Sequence, residues 1–352
     1  MTEPAITVVR VPGKVMLAGE YAVLGGGTAL SVAVGRYLTV KIVGASSDNR
    51  DFACSQVHSD LWDKPGVVAA GAVAADYPDA PLLAAVAHAM QCYKVHAAQV
   101  DVTSELTVSY GIGSSSALRL GVLMAFSAAA SRLKGHSFSA ESAWQCAREA
   151  LRLQRQAQTQ ASGYDLATQL SGGLCQFKAG ADFEHWPESS VRADEPTLAA
   201  LSKLVKVYVG GVGAATTPLL HSTLSWLQAS EQMPQLHAVS DDLHTAFTGA
   251  LKAPLQAHAV ATLAAACGRH RRLFRAGPAY PSELAADLEG LPGCDESWSF
   301  KTTGAGGEDA VLLIGSAAAQ ADAARTLAAR GWAPLAASFT YHGAALDQRG
   351  AL

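Results

Sequence analysis

Residues 109–118 read SYGIGSSSAL, placing two glycines and four serines between a β-like segment and a long apolar run. Upstream, QVDVTSEL (99–106) and TVSY (107–110) have strand character, and PLLAAVAHAMQCY (81–93) has a helical pattern. Downstream, apolar positions 118, 122, 126 and 129 recur at helical spacing from Ala117 to about Arg132, with Ser114 to Ser116 as N-cap candidates. A glycine-rich turn from strand into helix brings backbone close to a ligand, and the helix start leaves N–H donors unpaired at the positive end of the dipole. Phosphate is the natural occupant. The stretch is neither a Walker A loop nor GxGxxG, since Ser116 stands where the third glycine would be. An N-capped structural turn is the plain alternative.

Two other turns bear on that choice. VPGKVMLAGEYAVLGGGTAL (11–30) sets Lys14 after a Pro-Gly turn and Glu20 among apolar residues, and KTTGAGGEDAV (301–311) is a further Gly-rich bend. AITVVRV (5–11) and RYLTVKIV (36–43) read as strands around the first. After a helix from Ser139 to about Gln158, ASGYDLATQLSGG (161–173) reads as a loop, a short helix with Asp165 near its start, and a Gly-Gly stop before the strand LCQFK (174–178). The polar stretch HWPESSVRADEPT (185–197) is the expected crossover between lobes. Beyond it come the strand-like LVKVYVGGVG, Ala-rich helical patterns over 217–290, strand, turn and strand around the third bend, a helix over 317–330, and the strand-like APLAASFTYH. Helices beside a small mixed sheet predict an α+β second lobe.

Composition narrows the classes. At 352 residues the chain exceeds the usual single core, so two lobes are expected. With 49% hydrophobic and 16% charged residues and a net charge of −4, it is neither disordered nor a basic nucleic-acid binder. Its start lacks secretory-signal character and no apolar run reaches membrane-spanning length, so a cytoplasmic protein without membrane partners is expected. The six cysteines form no CxxC pair and the eleven histidines no HExxH, so any metal is expected to arrive with a ligand.

The three turns, in this order and at these intervals, resemble the three motifs of the GHMP small-molecule kinases, the family of galactokinase, homoserine kinase, mevalonate kinase and phosphomevalonate kinase. The middle motif of that family, Pro-x-Gly-x-Gly-Leu-Gly-Ser-Ser-Ala, is matched at Gly111, Gly113, Ser114 and Ser115, with Ile112 for Leu and Ser116 for the final Ala. Thr107 and Ser109 stand where its leading Pro and Gly would be. The resemblance implies a two-lobed α+β fold: an N-terminal ribosomal-protein-S5-like nucleotide lobe over 1–188 and a C-terminal ferredoxin-like lobe over 189–352.

It also implies ATP and Mg2+ as cofactors. Gly111, Gly113, Ser114, Ser115, Ser116 and Ala117 would hold the nucleotide phosphates, and Ser115 or Ser114 the metal. Asp165 and Lys14 would be catalytic, the first contacting or deprotonating the substrate hydroxyl, the second neutralising the moving phosphoryl group. The substrate would be a small phosphorylated or carboxylated alcohol bound by Lys14, Glu20, Ser162, Gly163, Asp165, Arg148, Arg155 and Gly306. GRHRRLFR (268–275) is a second candidate for a substrate phosphate, Thr216 and Thr217 resemble a Thr-containing helix start, and the adenine pocket is expected within 50–110. The protein would be a monomer or homodimer.

Within the family, GAGGED (304–309) with Asp309, GEYAVL (19–24) and ASGYDLATQLSGG are similar to bacterial phosphomevalonate kinases, although Glu308 replaces a glycine. Gln154 stands where mevalonate kinases carry a magnesium-binding Glu eleven residues before the Asp, and a neutral amide is a poorer ligand for a hard cation. Phosphomevalonate is therefore the expected substrate. Mevalonate or another small alcohol is the near alternative, and a silent GHMP-fold ligand sensor or a decarboxylase on the same fold the distant ones.

Overall fold

The computed structural model describes residues 5–46, 54–157, 160–210, 216–253, 256–307 and 309–347, except the side chains of Thr216 and Thr217. Two sheets organise the chain. In the first, the long strands β1 (Ile6–Ala18) and β2 (Thr28–Ser46) pair antiparallel, with register shifts at Pro12/Gly13 and Met16/Ala18. These shifts let one ribbon serve two neighbours. The second half of β2 pairs with β5 (Ala97–Ser104), while its first half pairs with β6 (Leu174–Lys178). β3 (Cys54–Ser59) runs parallel to β5 and carries β4 (Gly66–Ala69) on its far edge.

Helices α1 (Pro81–Tyr93), α2 (Ser114–Leu133), α3 (Ala140–Ala157) and α4 (Tyr164–Ser171) belong to this lobe. Almost every α2 residue from Ser116 to Ala130 is buried, because the helix is enclosed between the β1–β2 ribbon and its neighbours α1 and α3. α3 buries Ala143, Cys146, Ala147, Ala150, Leu151 and Leu153, a one-sided apolar face at helical spacing.

The stretch expected as the crossover holds β7 (Ser189–Arg192), which pairs with β6 in the first sheet. The chain then turns through α5 (Glu195–Leu204), capped by Asp194 accepting from Thr197 N at 2.9 Å, into the second sheet. That sheet has the order β11 (Ala333–Pro334), β8 (Val205–Val209), β10 (Ala310–Gly315), β9 (Trp298–Thr302), all antiparallel. The Ala-rich helical patterns expected over 217–290 form α6 (Thr216–Ala229), α7 (Met233–Lys252), α8 (Ala257–Leu273) and α9 (Ser282–Leu288).

Period-two alternation along the second sheet separates two cores. Val205, Val207, Val209, Leu312 and Ile314 face the large core with α5, α7 and α8. Trp298, Phe300, Val311 and Leu313 face α9 and α10 (Ala321–Ala329). Burial on both sides explains why AVLLIG in β10 is apolar throughout.

Three expectations need correction. TVSY is no strand: the ladder ends at Ser104, whose Oγ accepts from Leu106 N at 3.1 Å, and Val108–Tyr110 form a 3-10 turn. Ser114–Ser116 do not cap α2; Gly113 is the N-cap and the serines fill the first turn. Most of APLAASFTYH is not a strand of the second lobe. It returns to β2 through Gly35 N to Ser338 O (2.8 Å) and Thr340 N to Ala33 O (3.0 Å), after which β12 (Ala345–Leu346) pairs with β1.

Candidate active site

The bend between β5 and α2 opens onto a cleft of about 250 Å³ between the lobes. Lys14, Glu20, Gly111, Gly113, Ser114, Ser115, Ser116, Ser162, Gly163 and Asp165 all line it, with Tyr164, Gln154, Thr303, Gly304, Ala305 and Asp309. Residues far apart in sequence thus converge on one space. No side chain among the described residues caps α2, so the first amides of this 20-residue helix remain available to an anion.

Lys14 is the central cation. It is 6% exposed, and its Nζ donates to Tyr164 Oη at 2.9 Å and to Gly111 O at 3.3 Å, lying 5.1 Å from the Tyr164 ring centroid. Burial opposes its charge, but Tyr164, Asp165 and Glu20 outweigh that penalty and hold its pKa above the ordinary lysine value. It is an ammonium at neutral pH. Burial, with Asp165, raises the Tyr164 phenol against the pull of Lys14, so that hydroxyl stays protonated.

Gly113 makes this packing possible. Its φ is +86°, and a Cβ there would stand 3.0 Å from Lys14 Cγ and Cε and from Gln169 Nε2. Gln169 Nε2 donates to Gly113 O at 2.9 Å, fixing the bend from below. Ser116 turns its hydroxyl inward to donate to Gly113 O at 3.0 Å, so its side chain serves the bend. Ser115 Oγ accepts from Arg119 Nη1 at 2.5 Å; Arg119 is 8% exposed, and the Asp165 charge acts on it.

Asp165 sits in the first turn of α4, and its Oδ1 accepts from Leu166 N at 3.0 Å. The preceding Gly163, φ +82°, lies flat on Trp186, where a Cβ would meet the indole at 2.8 Å. Trp186 Nε1 donates to Ser162 O at 2.7 Å, so a buried indole sets the level of the Ser162–Gly163 turn.

The third Gly-rich turn is tied to the first. Thr303 Oγ1 accepts from Met16 N at 2.8 Å and donates to Met16 O at 3.0 Å, while Tyr21 Oη donates to Ala305 O. Glu20 forms a buried ion pair with Lys301, the two side chains being 5% and 2% exposed. Its other oxygen, Oε2, lies 3.8 Å from His270 Nε2, and neither atom has a hydrogen-bond partner among the described residues. A neighbouring cavity of about 20 Å³, lined by Glu20, His270, Lys301 and Gly306, is large enough for one water. Burial pushes the His270 pKa down to about 4 although Glu20 pulls it up.

Several sequence-derived candidates lie elsewhere. Arg148 Nε donates to Trp186 O at 3.2 Å and Arg155 Nε to Ala161 O at 3.1 Å; neither lines the cleft, because each guanidinium serves the loop beneath it. Gly306 borders the small cavity instead of the cleft. In GRHRRLFR, Arg271 and Arg272 pair with Asp295, Arg275 with Glu289, and Arg269 approaches Asp242 at 3.5 Å, so these charges are neutralised within the second lobe. Glu308 and the side chains of Thr216 and Thr217 lie outside the described residues.

Tyr164, Arg119, Lys301 and His270 were not singled out by sequence reasoning. Arg119 carried a signal, being the one charge in the apolar run between Ser116 and Ser131. Lys301, a lone charge beside the aromatic residues Trp298 and Phe300 in WSFKT, carried another. Among the described residues, no helix is long and apolar enough to cross a membrane.

Residues 81–173, which include α1, β5, α2 and the Asp165 turn, match the family model for the GHMP kinases N terminal domain. No curated protein matches the sequence significantly. Solved structures with this fold include a Lin0012 protein from Listeria innocua (17% identity, 98% of this chain and 100% of that chain covered, TM-score 0.70). The Methanococcus jannaschii mevalonate kinase is similar at 16% identity over 95% of this chain and 98% of its own, with TM-score 0.67. Streptococcus pneumoniae phosphomevalonate kinase, in complex with phosphomevalonate and AMPPNP, aligns at 16% identity over 94% and 99%, with TM-score 0.66. At these identities the likeness is one of fold.

Proposed function

We propose that this chain, which carries a GHMP kinase N-terminal domain over residues 81–173, transfers the γ-phosphoryl group of ATP to the hydroxyl of a small acidic alcohol. The observation that carries the reading is the meeting of Lys14, Asp165 and the uncapped start of α2 in one cleft. In this reading residues 1–188 form the nucleotide lobe, its sheet completed by β7 and β12, and 189–352 supply the second lobe.

Phosphoryl transfer needs positioning and charge neutralisation more than covalent chemistry. The amides of residues 113–116 receive the phosphates at the positive end of α2, since Ala117 N already donates to Gly113 O at 3.0 Å. Asp165 accepts the proton of the attacking hydroxyl or orients it, and Lys14, charged at neutral pH, balances the negative charge on the transferring group. Tyr164 takes the Lys14 hydrogen bond through its oxygen, leaving its own O–H to donate to substrate. Mg2+ fits the oxygen donors present: Ser115 Oγ keeps a lone pair beside its Arg119 bond, and Gln154 Oε1 is buried with no partner among the described residues. When bound, the ion would screen the phosphate charges.

For the substrate we propose 5-phosphomevalonate, converted to the diphosphate. This choice rests on the GAGGED motif, whose Asp309 lines the cleft with its Cβ against Gly111, and on Gln154 in place of a glutamate. A second reading, mevalonate or another unphosphorylated alcohol, is favoured by the turning away of Arg148 and Arg155, which leaves Lys14 as the only cation among the described lining residues. Initial rates with ATP and magnesium on phosphomevalonate, mevalonate, galactose and homoserine separate the two. Phosphomevalonate should be fastest, and a higher kcat/KM on mevalonate would transfer the assignment to the second reading.

A further inference from the structure

On the outer side of the first lobe, His88 and Cys92 stand one helical turn apart on α1 and face Glu149 of α3. His88 Nε2 lies 3.3 Å from Glu149 Oε2 and 3.3 Å from Cys92 Sγ, and the three ligand atoms all fall within 4.8 Å of one another. Bonds of about 2.0–2.3 Å from zinc to nitrogen, oxygen and sulfur, at tetrahedral angles, require ligand separations of roughly 3.3–3.6 Å. The two separations from His88 Nε2 already have about that spacing, and the third pair lies within 4.8 Å.

Hydrogen bonding alone accounts poorly for the cluster. Both contacts converge on the same ring nitrogen. If Nε2 carries the proton, it can donate to the carboxylate, and the exposed thiol is left to solvent. If Nε2 is bare, it can accept from the thiol, and its lone pair then confronts the Glu149 carboxylate. A cation satisfies all three atoms together. Arg152 does not fill that role, since its Nε stays 3.8 Å from Glu149 Oε2 and its guanidinium lies over Phe183.

We propose that His88 Nε2, Cys92 Sγ and Glu149 Oε2 form a zinc-type site that clips α1 to α3, with water in the fourth position. The donor set names the metal class: thiolate and imidazole select zinc over magnesium or calcium. Cys92 is exposed, which gives the ion an entry path and the fourth ligand a place. Binding exchanges the thiol proton for the metal: the S–H bond breaks, a Zn–S bond forms, and the proton leaves to solvent.

The test uses the full chain stripped by a chelator. Zinc is titrated in competition with a chromophoric chelator, and cobalt(II) is added as a spectroscopic probe. One zinc per chain is expected, with tetrahedral cobalt absorption and a thiolate charge-transfer band. His88→Ala and Cys92→Ser should each weaken zinc binding by more than about 100-fold, the upper range for loss of an outer-shell partner. Cys92→Ser should also remove the charge-transfer band while turnover with ATP and magnesium is kept, since these residues lie outside the cleft. Absence of stoichiometric zinc, an octahedral cobalt spectrum without the thiolate band, or undiminished binding in both variants would overturn the assignment.

Discussion

Replacing Lys301 with methionine tests how the lobes are held together at the cleft. Glu20 follows β1 in the first lobe and Lys301 lies in β9 of the second, so their ion pair spans the inter-lobe boundary. Methionine fills much the same volume without the charge. It leaves a carboxylate with 5% side-chain exposure without its contacting counter-ion, while Oε2 already lacks a hydrogen-bond partner among the described residues. Breaking one side of a buried pair costs about 3–5 kcal/mol. That is a large part of the ~5–15 kcal/mol that holds a typical domain folded.

His270 can compensate, by taking a proton 3.8 Å from Glu20 Oε2. Urea unfolding should therefore be followed well above the ordinary histidine range, where that rescue is absent. The double variant Glu20→Gln/Lys301→Met removes both charges and should recover most of the loss, giving a coupling of at least about 2 kcal/mol in the cycle. A loss under about 1 kcal/mol in Lys301→Met, or additive single effects, would refute the claim that a buried charge pair joins the lobes here.

Other predictions concern the cleft and its border. Asp165→Asn should lower kcat by about 10²–10⁴ in steady-state assays, and a loss within about threefold would remove Asp165 from the chemistry. Gly113→Ala places a methyl 3.0 Å from Lys14 at φ +86°, so denaturation should show a loss of about 1–2 kcal/mol. Displacement of Lys14 should also cut kcat by up to about 10²-fold. His270, held near 4 against an ordinary 6.5, stays neutral in the folded protein while the unfolded chain takes up a proton between those values. Stability should therefore fall as pH drops through that window, by up to about 3 kcal/mol, and His270→Gln should flatten this limb of the pH–stability curve.

Local chemistry made much of the site legible in the sequence. The glycine spacing of 109–118, the Pro-Gly turn before Lys14 and the Gly-Gly stop after Asp165 each dictate backbone shape within a few residues, and the fold brings the bend, Lys14 and Asp165 to one cleft. α1 occupies the span its periodicity predicts, residues 81–93. Long-range pairing was harder to see. TVSY has the composition of a strand, yet the ladder stops at Ser104, and the C-terminal segment looks like a strand of the second lobe until its hydrogen bonds to β2 are seen. Arg148 and Arg155 share a helix with the cleft-lining Gln154, but side-chain direction sends both guanidinium groups to backbone carbonyls. The Glu20–Lys301–His270 cluster joins three distant segments and could not be read from spacing at all.

Lys14, Asp165 and the start of α2 are proposed to form a phosphoryl-transfer site. Single-turnover transfer from γ-labelled ATP to 5-phosphomevalonate, with enzyme in excess, tests it most directly. The wild-type chain should move the label onto the acceptor as ADP forms, and Asp165→Asn should bind nucleotide equally well while transferring at least about 10²-fold more slowly. Label that stays on ATP with every acceptor in the panel, or an Asp165→Asn variant that transfers at the wild-type rate, would contradict the account.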